Sequence, residues 1–333
     1  MSKRTLNIIT YLVTFGLCAF LVWYSVHDLQ QADIDKIKYA VSKANYLLLI
    51  PIVFMGLLSH WSRAVRWRML MQPLDMHPSI ANTFFSVMIG YLANLFLPRL
   101  GEFIKCTMLS RYEKIPADKL IGTIITERAF DMLCLVIIFF ITFLLQIDLA
   151  NDYVHSLLTR MQSGSEEGSI TKYIVLGILA LMVLLMFIFR KALGKMTFVQ
   201  KIKSVFSNII SGIMSFRFMK NKAGFVFHTF LIWGCYLTMI YLGFKSIQET
   251  NMLGWNTSFS VLSFGSLGMI ATPGGIGAYT LLVDEIVRLY GVEKAISVAI
   301  SWIIWLVPTI IILMGGIASL LYIPFHNRHR HVK

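Results

Sequence analysis

Apolar residues in this chain come in runs too long and too many for a soluble core. They cover about residues 6–27, 45–61, 79–97, 118–146, 171–189, 223–244, 256–290 and 295–323, and a helix needs roughly 20 residues to cross the hydrocarbon of a bilayer. Backbone facing lipid must satisfy its own hydrogen bonds, so the runs predict helices and an all-α, polytopic membrane protein. Composition agrees: 57% of the 333 residues are hydrophobic and 14% charged, and the mean hydropathy is +0.70. A soluble fold of this size does not hide that much apolar surface. Lys3 and Arg4 imitate the start of a signal peptide, but the run from Leu6 to Val26 is too long for one and has no small-x-small cleavage site. It is expected to remain as a first span.

The formal net charge of +13 raises the question of nucleic acid. The basic residues, however, sit in short stretches between apolar runs and at the termini. They read as topology determinants and contacts to anionic lipid, so membrane lipid and not nucleic acid is the expected partner. Cys18, Cys106, Cys134 and Cys235 each lie in or beside an apolar run without CxxC spacing, and the eight histidines show no metal-ligand spacing. Neither a disulfide, a metal nor any cofactor is expected. Gly274, Gly275 and Gly277 lack a following Walker lysine or GxGxxG pattern, which argues against nucleotide.

Charge also predicts topology. Lys3 and Arg4 put the N-terminus in the cytoplasm, the second span returns the chain there at Arg63, Arg66 and Arg68, and the loop with Asp28, Asp33 and Asp35 lies outside. If residues 79–97 crossed fully, Lys105, Arg111, Lys114 and Lys119 would be outside. A re-entrant hairpin that breaks at Pro98 to Gly101 avoids this, because proline removes a donor and glycine tolerates unusual dihedrals. The span at 118–146 then leads out to Asp148, Asp152, Glu166 and Glu167, and the span at 171–189 leads back to a basic amphipathic stretch over about 190–222. The segment 256–290 breaks at Pro273 to Gly277 and forms a second hairpin, opening from outside. Six full spans and two hairpins leave both termini cytoplasmic, including the tail from His326 to Lys333.

Each half, about 6–146 and 171–323, thus reads span, span, hairpin, span in opposite orientation within one transmembrane domain covering 1–333. The spans at 45 and 118 and the break at 98 recur about 175 residues later. Inverted repeats with broken helices are a recurrent transporter architecture. The competing reading is that the hairpins are tilted full spans.

Four stretches carry the polar residues of these runs. They are Ser59-His60-Trp61-Ser62-Arg63-Ala64-Val65-Arg66-Trp67-Arg68, Gly90 through Pro98-Arg99-Leu100-Gly101-Glu102, Glu127-Arg128-Ala129-Phe130-Asp131, and Pro273-Gly274-Gly275-Ile276-Gly277. In this order they resemble the signatures of the flippase-like transmembrane domain of lysylphosphatidylglycerol synthases and their stand-alone relatives. The resemblance spans nearly the whole chain and implies a polytopic protein of the cell inner membrane that moves lipid between leaflets. Two-domain members add a soluble aminoacyltransferase. This chain ends about ten residues after its last span, so aminoacylation of lipid is not expected of it. Where many relatives carry an acid after the second Pro-Gly-Gly, this chain has Thr280, with Asp284 and Glu285 one turn further.

A head group crossing hydrocarbon needs a polar site at the midplane, and arginine with free amides at a broken helix suits a phosphate. Arg99 and the amides near Gly101 are therefore candidate head-group ligands, with Asn94 and Lys105 beside them and Glu102 holding or releasing Arg99. Alternatively, Arg99 and Glu102 only neutralise each other, or Arg99 snorkels to the interface. Glu127, Arg128 and Asp131 share a span free of other charge between Lys119 and Asp148, so a carboxylate there is expected to pair with Arg99 or Lys105. It would act either as a fixed clamp on the hairpin or as a proton-coupling group. Arg63 and Arg66 gather head groups or, like Arg68, anchor the interface with Trp61 and Trp67. The glycines 274, 275 and 277 could cradle phosphate by backbone.

Three functions follow: translocation of an anionic lipid by alternating exposure of the hairpins, chemistry on head groups with Glu127 or Asp131 as base, or a non-catalytic scaffold. The oligomeric state is left open.

Overall fold

A computed structural model describes residues 3–96, 100–147 and 219–328, with side chains from Thr14 onward. The expected span at 171–189, the acidic loop before it, the basic linker up to residue 218, Pro98, Arg99 and the tail beyond Arg328 lie outside the described residues. What is described is helical: α1 (Lys3–Val26), α2 (Gln31–Ser42), α3 (Leu49–Met71), α4 (Ile80–Phe96), α5 (Leu100–Glu113), α6 (Ala117–Leu145), α7 (Lys222–Lys245), α8 (Trp255–Ala271), α9 (Ala278–Leu289) and α10 (Lys294–Asn327). Among the described residues, four segments are long and apolar enough to cross a membrane: Tyr46–Leu74, Ala117–Leu145, Lys222–Lys245 and Lys294–Asn327.

Two details differ from expectation. The stretch between the first two spans, read as a loop, contains α2, whose first turn is closed by the Asp33 carboxylate accepting from the Gln30 amide at 3.0 Å. The second apolar run does not end at 61. Its helix continues to Met71 and carries Arg63, Arg66 and Arg68 within it, because Arg63 and Arg66 are buried against carboxylates of α6 instead of facing water.

Both breaks make tight helical hairpins. α4 and α5 touch backbone to backbone: a Cβ on Gly101 would lie 2.0 Å from the Gly90 carbonyl oxygen. Only glycine permits that approach. In the second hairpin, Gly274, Gly275 and Gly277 take positive φ of 57°, 75° and 76°, reversing the chain where a side chain would be strained. Pro273 opens a 3-10 turn there. Trp305 of α10 holds this turn by donating Nε1–H to the Gly274 carbonyl at 2.8 Å. Gly274 also lies against Leu95, one residue from the end of α4.

The helices pack in matching sets. α3 lies against α7; α4 pairs with α5 as α8 pairs with α9; α4 meets α10 as α8 meets α6. The α4–α10 seam is joined at one end by a reciprocal amide pair, Asn82 to Asn327, at 2.8 Å in both directions. The α6–α8 seam carries Thr142 to Ser263 at 2.7 Å and Gln146 to Ser260 at 3.1 Å.

Candidate functional site

Helices α3, α5 and α6 each send charge to one point inside the bundle. On α3, Arg63 and Arg66 are three residues apart and share a face, as Glu127 and Asp131 do at a spacing of four on α6. Arg63 Nη1 donates to Glu127 Oε1 at 3.1 Å and to Asp131 Oδ2 at 2.6 Å. Arg66 Nη2 donates to Asp131 Oδ1 at 2.5 Å, and its Nη1 to Thr229 Oγ1 of α7 at 3.3 Å. From the first hairpin, Lys105 Nζ reaches the other oxygen of Glu127 at 2.8 Å. Its ammonium also lies 4.1 Å from the centre of the Trp67 ring, a cation–π contact, and Trp67 is held in turn by Thr123 at 2.9 Å.

Depth makes this set costly. Glu127 and Asp131 fall ten and fourteen residues into α6, a helix of 29 residues, so they sit about 15 to 21 Å along it, close to its middle. Glu127 and Arg66 are fully buried, and Arg63 and Lys105 nearly so. Charges at such depth persist when paired and hydrogen-bonded. Among the described residues the pairing does not balance: three cations, Arg63, Arg66 and Lys105, face two carboxylates, Glu127 and Asp131, and the adjoining Arg128–Glu102 pair adds no net charge, which leaves one positive charge over. The Nε atoms of Arg63 and Arg66 are buried with no acceptor among the described residues. Chemically, an excess of one positive charge among the described residues suits an anion. Glu127, already taking a hydrogen bond on each oxygen, is badly placed to act as a base.

The other candidate residues lie as follows. Arg128 joins the cluster to the first hairpin, 3.3 Å from Glu102 of α5 and 3.9 Å from Asp131. Glu102 therefore faces Arg128 among the described residues; the proposed Arg99 partner lies outside them. The Gly101 amide, expected to be free for a phosphate, is taken by Asn94 Oδ1 at 2.9 Å. That carbonyl oxygen caps the start of α5 in the usual manner of a side-chain acceptor. A cavity of about 10 Å³ lies between α4, α5 and α6, bordered by Gly90, Asn94, Gly101, Glu102, Lys105 and Arg128, enough for about one water. Gly274 and Gly275 serve the second turn, against Leu95 and Tyr279, and Gly277 lies against the backbone of α1 at Cys18 and Val22. Among the described residues no group of His, Cys, Asp and Glu comes together to hold a metal ion.

Sequence reasoning passed over Tyr91, whose ring lies 5.7 Å from the Arg63 guanidinium, and Thr229 and Tyr236 of α7, which meet Arg66 and Arg63. Hydroxyls inside an apolar run carry almost no hydropathy signal. The only hint was that Tyr91 and Trp67 stand inside the two motif stretches.

Residues 7–316 match the family of lysylphosphatidylglycerol synthase TM regions. This chain belongs to that family. It is an integral membrane protein, and the motif residues that suggested the family supply Arg63, Arg66, Glu127 and Asp131 of its charge cluster. The chain is also similar to a UPF0104 membrane protein of Pyrococcus horikoshii, 23% identical over 341 residues, covering 91% of this chain and 93% of that protein. No solved structure matches it.

Proposed function

We propose that this protein moves an anionic lipid between the leaflets of the cell inner membrane, with the buried cluster as the waypoint of the head group. The observation that carries the reading is the unmatched positive charge among Arg63, Arg66, Lys105, Glu127 and Asp131, halfway along a membrane span. A phosphodiester is the anion a membrane offers at both of its surfaces, and membership in a family named for a lipid synthase supports lipid as cargo.

The architecture is two re-entrant hairpins in an inverted repeat, with both termini cytoplasmic. In support, α4, α5, α8 and α9 have 17, 14, 17 and 12 residues, about 18 to 26 Å each against roughly 30 Å of hydrocarbon. The matching helix contacts of the two halves are those an approximate two-fold would produce. Asn82–Asn327 and Gln146–Ser260 then close opposite ends, as alternating exposure requires.

Reconstitution into vesicles with fluorescent phosphatidylglycerol tests the reading. Accelerated exchange of chemically unchanged lipid is expected, and Glu127→Gln should abolish it while the protein still inserts. A covalently altered lipid would establish head-group chemistry instead, and no exchange in any lipid mixture would refute translocation.

A further inference from the structure

Arg128 is the twelfth of the 29 residues of α6, about 17 Å along it. At that depth a charged side chain normally hides inside the bundle. Arg128 instead leaves 41% of its side chain exposed, and its partner Glu102 leaves 30%. The contact is also a poor bond. Although Nε and Oε1 are 3.3 Å apart, the buried Nε–H has no acceptor in line with it among the described residues. Asp131, the other carboxylate in reach at 3.9 Å, is already held by Arg63 and Arg66. The pair and Lys105 line the same small cavity between the first hairpin and α6.

The geometry points to Glu102 and Arg128 as a lateral latch over the buried cations, opened by the lipid itself. The phosphodiester of an anionic lipid takes the guanidinium from Glu102, and the head group passes between α5 and α6 toward Lys105. This rests on the lipid-translocating reading above. A phosphate presents two oxygens to the planar edge of arginine, whereas Glu102 meets it with one oxygen and no aligned hydrogen bond, so the exchange runs in the lipid's favour. Until the exchange the cavity has room for no more than about one water.

The test uses the full chain in vesicles containing phosphatidylglycerol with a photoreactive group just below the head group, with leaflet exchange measured in parallel. Glu102→Gln removes the rival carboxylate and should raise labelling of residues 100–147 several-fold, with exchange faster than wild type. Arg128→Gln should lower both at least tenfold, and Arg128→Lys, which keeps the cation and loses the planar edge, should fall between. Equal labelling in all variants, or loss in Glu102→Gln and Arg128→Gln alike with matching falls in melting temperature, would mark a structural pair and overturn the latch. Exchange with labelling only outside 100–147 also overturns the latch and leaves translocation standing. Arg128-dependent labelling without exchange supports the latch as a lipid site and refutes translocation.

Discussion

Glu127 is where three helices are tied together, since Arg63 of α3 and Lys105 of α5 each bind one of its oxygens. Glu127→Gln removes the charge and leaves two buried cations with less than they need. Losing one member of a buried ionic set typically costs about 3–5 kcal/mol, so the melting temperature in detergent should fall sharply. Adding Lys105→Met should recover part of the loss, because it removes the cation left stranded. Gly101→Ala is expected to be as harmful for a different reason: the new methyl would overlap the Gly90 carbonyl oxygen, which is rigid backbone. It should force α4 and α5 apart and release Lys105 from Glu127, visible as lost stability and as labelling of Cys106, now buried. The charged members of this site were legible in the sequence because a carboxylate or guanidinium in an apolar run is conspicuous and expensive. Thr229, Tyr236 and Tyr91 were not, because a hydroxyl costs little there and its partner lies on another helix.

Helix α3 shows how an element can outrun its hydropathy pattern. The apolar run weakens at Trp61, yet the helix goes on to Met71, since Arg63 and Arg66 find carboxylates on α6 and are not forced out to water. The second hairpin leans more on local chemistry: glycines at positive φ reverse the chain after α8. Asn94 adds a device that only the folded hairpin reveals, reaching seven residues ahead to cap α5 at Gly101. Asn94→Ala should cost about 1 kcal/mol, localised to the start of α5, so amide exchange should quicken over residues 100–104 and stay unchanged in α6. Trp305→Phe removes the side-chain bond to the Gly274 carbonyl and should loosen the second turn in the same selective way.

At the level of the bundle, α4 meets α10 along one seam and α6 meets α8 along another, while α3 lies against α7. Asn82→Cys with Asn327→Cys replaces a reciprocal amide pair and should form a disulfide readily under mild oxidation. If transport requires this seam to open, the oxidised protein stops exchanging lipid and reductant restores it; undiminished exchange when cross-linked would show that the seam stays shut throughout. Much of this plan was present in one dimension. Runs of apolar residues dictate helices because lipid cannot solvate a peptide group, Pro-Gly breaks dictate turns because backbone sterics are local, and intramembrane charge stands out because its solvation cost falls on whichever residue carries it. Partnership is different in kind. That Lys105 belongs to Glu127, Glu102 to Arg128, Asn94 to the Gly101 amide and Arg66 to Asp131 depends on how helices distant in sequence rotate and meet. The unmatched charge exists only as the sum over those meetings, for Coulomb interaction and hydrogen bonding act through space and not along the chain.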